Sequence, residues 1–233
     1  MISRLRDHPS GLHLGLMLAL TFSTGVVDAV GYLGLDRVFT GNMTGNVVIL
    51  AMALTGANGL PIVGPVIALV CFLGGAAVAG RTLKGVPAGW YLRTTVLLGA
   101  VGLLLLTASV LAFSVADRPQ GLNLAITGAL GLAMGTQAGS ARHIGVSDVT
   151  TVVVTSTLVG LAFDSRFGGG KSAHPWARRA GAILLIGAGA ASGALLLRAH
   201  IGFGMGFAAL ITIVVVVLGT LGRPHPVDGD PSS

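Results

Sequence analysis

The sequence predicts an all-α, polytopic membrane protein: a helical bundle of six spans plus two short half-helices. Three observations support this class. Of its 233 residues, 53% are hydrophobic and only 9% are charged, with a mean hydropathy of +0.87, far from the soluble range. Apolar windows of about 20 residues recur along the chain. No long polar insertion separates them, so we expect one membrane domain over residues 1–233.

The first half of the chain, 12–113, contains three predicted spans, at about 12–35, 61–80 and 93–113. Arg4 and Arg6 precede the first of them, as in a signal peptide. Its apolar stretch is too long for a signal-peptide core, so a retained helix is favoured.

The second half, 121–221, contains three more predicted spans, at about 121–140, 177–198 and 201–221. The chain then ends in a proline-containing tail, 223–233, which we expect to be disordered. The 37 glycines are typical of membrane helices that pack through small residues. Such faces serve packing within one bundle or association into a homo-oligomer.

Two further apolar segments, 43–56 and 149–163, are short and begin with polar residues. A helix of about 14 residues covers roughly 21 Å, less than the roughly 30 Å of the hydrocarbon core. We therefore expect half-helices that enter and leave on the same side. The alternative is that all eight segments span.

The distribution of Lys and Arg favours the first arrangement. With a cytoplasmic amino terminus and six spans, 11 of the 14 basic residues lie inside and 3 outside. The inside set is Arg4, Arg6, Arg81, Lys84, Arg93, Arg142, Arg166, Lys171, Arg178, Arg179 and Arg223, and the outside set is Arg37, Arg118 and Arg198. Eight spans would give 8 against 6. Both termini are then cytoplasmic, in an inner (plasma) membrane.

The two halves of the chain also resemble each other. The segment from Thr40 to Ala51 can be laid on the segment from Thr151 to Ala162, and 74–80 resembles 187–193. Because three crossings is an odd number, the two halves would be inverted with respect to the membrane. Paired short helices in inverted halves indicate a transport site near the midplane.

The first candidate site surrounds Asp28, which lies within the first apolar span. A carboxylate at that depth is costly unless it is paired, hydrated or protonated. One interpretation is a solute contact or proton-coupling group; the other is a cap for the Thr40 segment or a partner of Arg37. Asn42 is a predicted N-cap for a helix that starts near Met43.

The remaining candidates are polar residues of the two short segments and of the predicted span at 121–140. The exposed N–H groups of a half-helix amino terminus suit a polar or anionic solute. Alternatively, these side chains only satisfy neighbouring backbone. The predicted solute-binding set is Asp28, Thr40, Asn42, Thr44, Asn46, Gln137, Thr151 and Thr155. Asp148 is better explained as an N-cap at the membrane surface.

Several function classes are disfavoured. No cluster of His and Cys has metal-ligand spacing, and neither a nucleophile elbow nor a phosphate-binding loop is present. We expect no catalytic residues, no metal, no cofactor and no enzyme activity. The basic residues are scattered through short loops, which suits topology and lipid headgroups rather than nucleic acid. The single Cys71 lies mid-segment and is predicted to be a small buried hydrophobe.

Two signatures resemble the YoaK-type family of bacterial membrane proteins, over roughly residues 12–221. The first runs from Val27 to Tyr32 and from Val38 to Asn46; the second joins 135–138 with 150–158. Family members usually carry Asn where this chain has Ala138, and Gly where it has Ser156. The resemblance implies a bacterial inner-membrane protein of an uncharacterised domain family and leaves its activity open.

Together these observations predict a transporter or channel for a small polar or anionic solute, with membrane lipids as its surroundings. The rival hypothesis is a non-transporting membrane scaffold or assembly protein.

Overall fold

A computed structural model describes residues 9–57, 59–115, 117–145, 154–163 and 174–223. These residues form eight α-helices. The helices are α1 (Pro9–Gly34), α2 (Met43–Leu54), α3 (Val63–Leu83), α4 (Leu92–Ser114), α5 (Gln120–Ile144), α6 (Val154–Phe163), α7 (His174–Leu197) and α8 (Ile201–Leu221). The all-α membrane class is confirmed. Residues 149–153 and the tail after 223 lie outside the described ranges.

Five of the helices, α1, α3, α4, α7 and α8, are long and apolar enough to cross a membrane. Helix α5 is not one of these five, but with 25 residues it is also long enough to cross a membrane. Its hydropathy is lower because it carries Thr127, Thr136, Gln137 and Ser140, all of which are buried. The helix α2 has 12 residues and spans only about 18 Å.

The core lies between α1, α4, α5 and α8. Val27, Leu105, Leu130 and Met205, one from each helix, belong to a single buried cluster. A second cluster, which includes Leu16, Trp90, Leu98 and Ile144, closes the end of the bundle where α1 and α4 begin. Outside this core lie α3 and α7, against which the short helices α2 and α6 pack.

Glycine contacts set the closest helix crossings. A Cβ added to Gly189 of α7 would overlap the carbonyl oxygen of Phe22 in α1, and one added to Gly193 would approach that of Val26. Since both residue numbers rise together, α1 and α7 run parallel. Such backbone approach is possible only where side chains are absent.

The same geometry joins α3 and α5. A Cβ on Gly131 would lie against the Ala68 carbonyl oxygen, and one on Gly135 would overlap that of Phe72. These two helices therefore also run parallel.

The pair α4 and α8 runs in opposite directions. Near the start of α4, the hydroxyls of Thr95 and Thr220 are 3.1 Å apart. Near its end, Ser109 Oγ donates to Gly202 O at 2.8 Å. Early residues of one helix thus meet late residues of the other.

The chain enters α3 at the end of the bundle where it left α1. The Arg37 guanidinium, just after α1, donates to Gly59 O at 3.3 Å in the loop that follows α2. A Cβ on Gly64, in the first turn of α3, would contact the Val38 side chain. Both ends of the α2 segment are therefore tied to the carboxyl-terminal part of α1.

Candidate functional site

The Asp28 carboxylate holds the chain at the amino terminus of α2. Its Oδ1 accepts hydrogen bonds from Thr40 N at 2.8 Å and Gly41 N at 2.7 Å, and a longer one of 3.4 Å from Thr40 Oγ1. Asp28 lies less than two turns before Gly34, the end of α1, so these bonds draw the loop inward along the helix by roughly 9 Å. Of the two interpretations that the sequence left open, the hydrogen bonds match the cap. The Arg37 side chain binds Gly59 O instead.

Asn46, in the first turns of α2, pairs with the backbone of Phe39. Its Oδ1 accepts from Phe39 N at 2.9 Å, and its Nδ2 donates to Phe39 O at 2.6 Å. Asn46 is fully buried. The Phe39 ring in turn stacks on Tyr32 of α1, with the ring centroids 4.8 Å apart. The Asn46 amide therefore holds the loop before α2 against α2 itself.

Asn42 is the N-cap that the sequence predicts. Its Oδ1 accepts from Gly45 N at 3.2 Å, and the helix starts at Met43. Thr40 is buried, whereas Thr44 is exposed. The described bonds of Asp28, Asn42 and Asn46 thus satisfy backbone groups at the start of a short helix.

Gln137 lies where α5 meets α1. Its Nε2 donates to Thr24 Oγ1 at 2.9 Å and to Leu20 O at 3.4 Å. The side chain is only 1% exposed, and its Oε1 has no hydrogen-bond partner among the described residues. A buried polar atom of this kind requires an explanation.

Thr24 connects the two polar groups. It contacts Gln137 on one side, and a Cβ added to Gly41 would lie 2.9 Å from its Cγ2 on the other. Thr24 and Asp28 are four residues apart and therefore lie on one face of α1. The sequence did not indicate that this face would meet Gln137, because that depends on which faces of α1 and α5 pack together.

The second short helix presents Thr155 as an exposed residue of α6. In the same helix, Gly160 O accepts from Arg179 Nη1 of α7 at 2.9 Å. Thr151 and Asp148 lie outside the described residues, so the predicted contribution of Thr151 stays a prediction. Within the described ranges, no three His, Cys, Asp or Glu residues are grouped as metal ligands would be.

Comparison with known proteins gives a family and one relative. The family model described as "Protein of unknown function (DUF1275)" matches residues 16–218. Over 150 residues, 64% of this chain, the sequence is 30% identical to the UPF0700 transmembrane protein YoaK of Bacillus subtilis (strain 168). The matched region spans 65% of that relative's length. No solved structure matches.

Proposed function

The chain belongs to the DUF1275 family, as the YoaK-type signatures predicted, and we propose that it is a transporter or channel for a small polar or anionic solute. The proposal rests on one observation: the directions and contacts of the helices fit two inverted halves, each with a short helix that does not cross. In this proposal the protein is not an enzyme and uses no cofactor.

The helix directions favour six spans over eight. If all eight helices crossed in alternation, α4 and α8 would point the same way. Their contacts at both ends are instead antiparallel. With α2 and α6 re-entrant, α4 and α8 point in opposite directions, as these contacts require. The contact between Arg37 and Gly59 supports a re-entrant α2 directly, because it joins the two ends of that segment.

The helix contacts also support the repeat. Exchanging α1–α4 with α5–α8 leaves the set of packed pairs unchanged: α1 with α7 matches α3 with α5, and α1 with α8 matches α4 with α5. At residue level, the contact of Gly189 with Phe22 corresponds to that of Gly75 with Leu132. In this register Ala138, the residue after Gln137, takes the position in the second half that Asp28 takes in the first.

In an inverted repeat of this kind, α1 and α5 meet near the pseudo-two-fold axis, at the midplane. Gln137 and Thr24 lie at that crossing, and the Asp28 cap holds the amino terminus of α2 one turn away. We propose that a solute passes along this line. Asp28, Thr40, Asn42 and Asn46 would shape the path, and Gln137 would contact the solute.

The distribution of charge supports the proposed location. With the amino terminus cytoplasmic, the described basic residues Arg81, Lys84, Arg93 and Arg142 lie at the cytoplasmic end, in agreement with the positive-inside rule. We propose a bacterial inner membrane, with both termini inside.

The scaffold hypothesis is favoured by a different observation. The described hydrogen bonds of Asp28, Asn42 and Asn46 end mostly on backbone atoms, as those of purely structural residues do. Under that hypothesis, the unpartnered oxygen of Gln137 has no role in solute passage.

Flux measurements separate the two hypotheses. Proteoliposomes are challenged in turn with ammonium chloride, potassium formate, urea and glycerol, and their volume is followed by stopped-flow light scattering. We expect at least one solute to enter faster than in protein-free vesicles, and Gln137→Met to slow it. Ser109→Ala, which removes a buried hydroxyl between α4 and α8, serves as the matched control. If folded protein gives only the protein-free rates for every solute, the scaffold hypothesis replaces transport.

A further inference from the structure

We infer that the site at the crossing of α1 and α5 takes a small cation with N–H donors, of the ammonium or alkylammonium class, rather than an anion. This inference rests on the proposed function, because it specifies the solute of the same site. It narrows the polar or anionic class that the half-helices suggested.

The orientation of the Gln137 amide is fixed by its partners. Leu20 O is a carbonyl and only accepts, so the group 3.4 Å from it must be the amide nitrogen. Thr24 Oγ1 donates its own hydrogen to the same carbonyl at 3.0 Å, and therefore accepts from Gln137. A flipped amide would place its oxygen against the Leu20 carbonyl oxygen, and Thr24 could donate to it only by giving up its own bond to Leu20 O. Gln137 Oε1 consequently has its lone pairs free.

The buried hydroxyls around this crossing have no hydrogen left to offer. Each donates to the carbonyl four residues earlier in its own helix, at 2.8–3.0 Å. They are Thr21, Thr24 and Ser140, whereas the Thr136 hydroxyl lies against α3, 3.4 Å from Gly75 O. Because the hydrogens are already used, only lone pairs can face a solute. The crossing therefore consists of acceptors, which bind donors.

The amino terminus of α2 is also unsuited to an anion. The N–H groups of Thr40 and Gly41 already bind the Asp28 carboxylate, and Gly45 N binds Asn42. Three backbone donors at and before the start of this helix are thus occupied by side chains of the protein itself, and the Asp28 carboxylate beside them disfavours an anion there. Since Asp28 follows Thr24 by four residues, its carboxylate lies on the same face of α1 and favours a cation there.

The test compares ions that differ in one property. Purified wild-type protein is heated in detergent with methylammonium chloride, tetramethylammonium chloride, sodium formate or sodium chloride at equal ionic strength. Methylammonium and tetramethylammonium have the same charge, but only methylammonium carries N–H donors. We expect a saturable rise of the unfolding midpoint with methylammonium alone.

Two substitutions locate the effect. Gln137→Met keeps the length of the side chain without the acceptor, and we expect it to abolish the methylammonium shift. Gln137→Glu keeps the acceptor oxygen, replaces the donating nitrogen by a second oxygen and adds a negative charge, and should lower the half-saturating methylammonium concentration at least tenfold. Ser109→Ala should behave as wild type. If one variant does not fold, the other variant and the ion series on the wild-type protein still test the inference.

Three results would overturn the inference: equal shifts with both ammonium ions, a saturable shift with formate that Gln137→Met abolishes, or no shift with any ion. Radiolabelled methylammonium uptake into proteoliposomes separates the inference from the proposed function. Binding without uptake would retain the acceptor site and remove transport. Formate uptake without methylammonium binding would retain transport and remove the inference.

Discussion

Replacing Asp28 should release the chain at the start of α2. Its Oδ1 accepts the N–H groups of Thr40 and Gly41 at 2.8 and 2.7 Å. Asp28→Ala leaves two partly buried donors without that acceptor, at about 1–3 kcal/mol each, or roughly 2–6 kcal/mol together. Asp28→Asn keeps an acceptor oxygen of the same shape but loses the charge-assisted part, so we expect about half that cost.

Amide hydrogen exchange measures this most directly. In Asp28→Ala, exchange at Thr40 and Gly41 should accelerate by roughly 100-fold, since each 1.4 kcal/mol is a factor of ten and about 3 kcal/mol is at stake. Asp28→Asn should show roughly tenfold. Asp36→Ala, which removes an exposed carboxylate near the same loop, should leave both amides unchanged. Equal protection in Asp28→Ala and wild type would refute the cap, and equal loss in the Asn and Ala variants would show that charge, not the acceptor, holds the loop.

Two further substitutions test the glycine packing between α3 and α5 and the pairing of Asn46 with Phe39. Gly135→Ala should destabilise the protein by about 1–3 kcal/mol, because its Cβ would overlap Phe72 O. The control Gly80→Ala, whose Cβ would have no atom within 4 Å, should be neutral or stabilising. Both are measured by thermal unfolding in detergent, and equal unfolding midpoints would argue against the close crossing of α3 and α5. Asn46→Leu should cost roughly 2–3 kcal/mol, because Phe39 N loses its acceptor and Phe39 O loses its donor. Amide exchange at Phe39 should rise, and unchanged exchange would contradict the pairing of the two residues.

Hydropathy located the long helices to within a few residues, because span length is set by bilayer thickness. The sequence placed the fifth helix at 121–140, but it continues to Ile144. There Gly145, with φ of 73°, ends it in the left-handed conformation that glycine tolerates. The signal was present in the sequence, in a glycine that follows Arg142 and His143.

The contacts of the candidate site were less predictable. The Asn42 cap is a local pattern, and the sequence identified it. The pairing of Asn46 with Phe39 depends on the fold of the intervening loop, and the bond between Gln137 and Thr24 depends on which faces of α1 and α5 meet. Those faces are selected by glycine crossings far along the chain, which no local pattern encodes.

The measurement that tests the central claim is the sidedness of the loops after α2 and α7. In a Cys71→Ser background, single cysteines replace the exposed residues Ala57, Ala88 and Ala199, and intact cells are labelled with an impermeant thiol reagent. Gly59 and Gly85 are less suitable positions, since both have positive φ.

If α2 and α6 are re-entrant, Ala57→Cys and Ala199→Cys label from outside, and Ala88→Cys labels only after the membrane is opened. If all eight helices span, the cysteines at positions 57 and 199 lie on opposite sides whatever the orientation of the chain. That result would contradict the inverted repeat and remove the midplane site that depends on it.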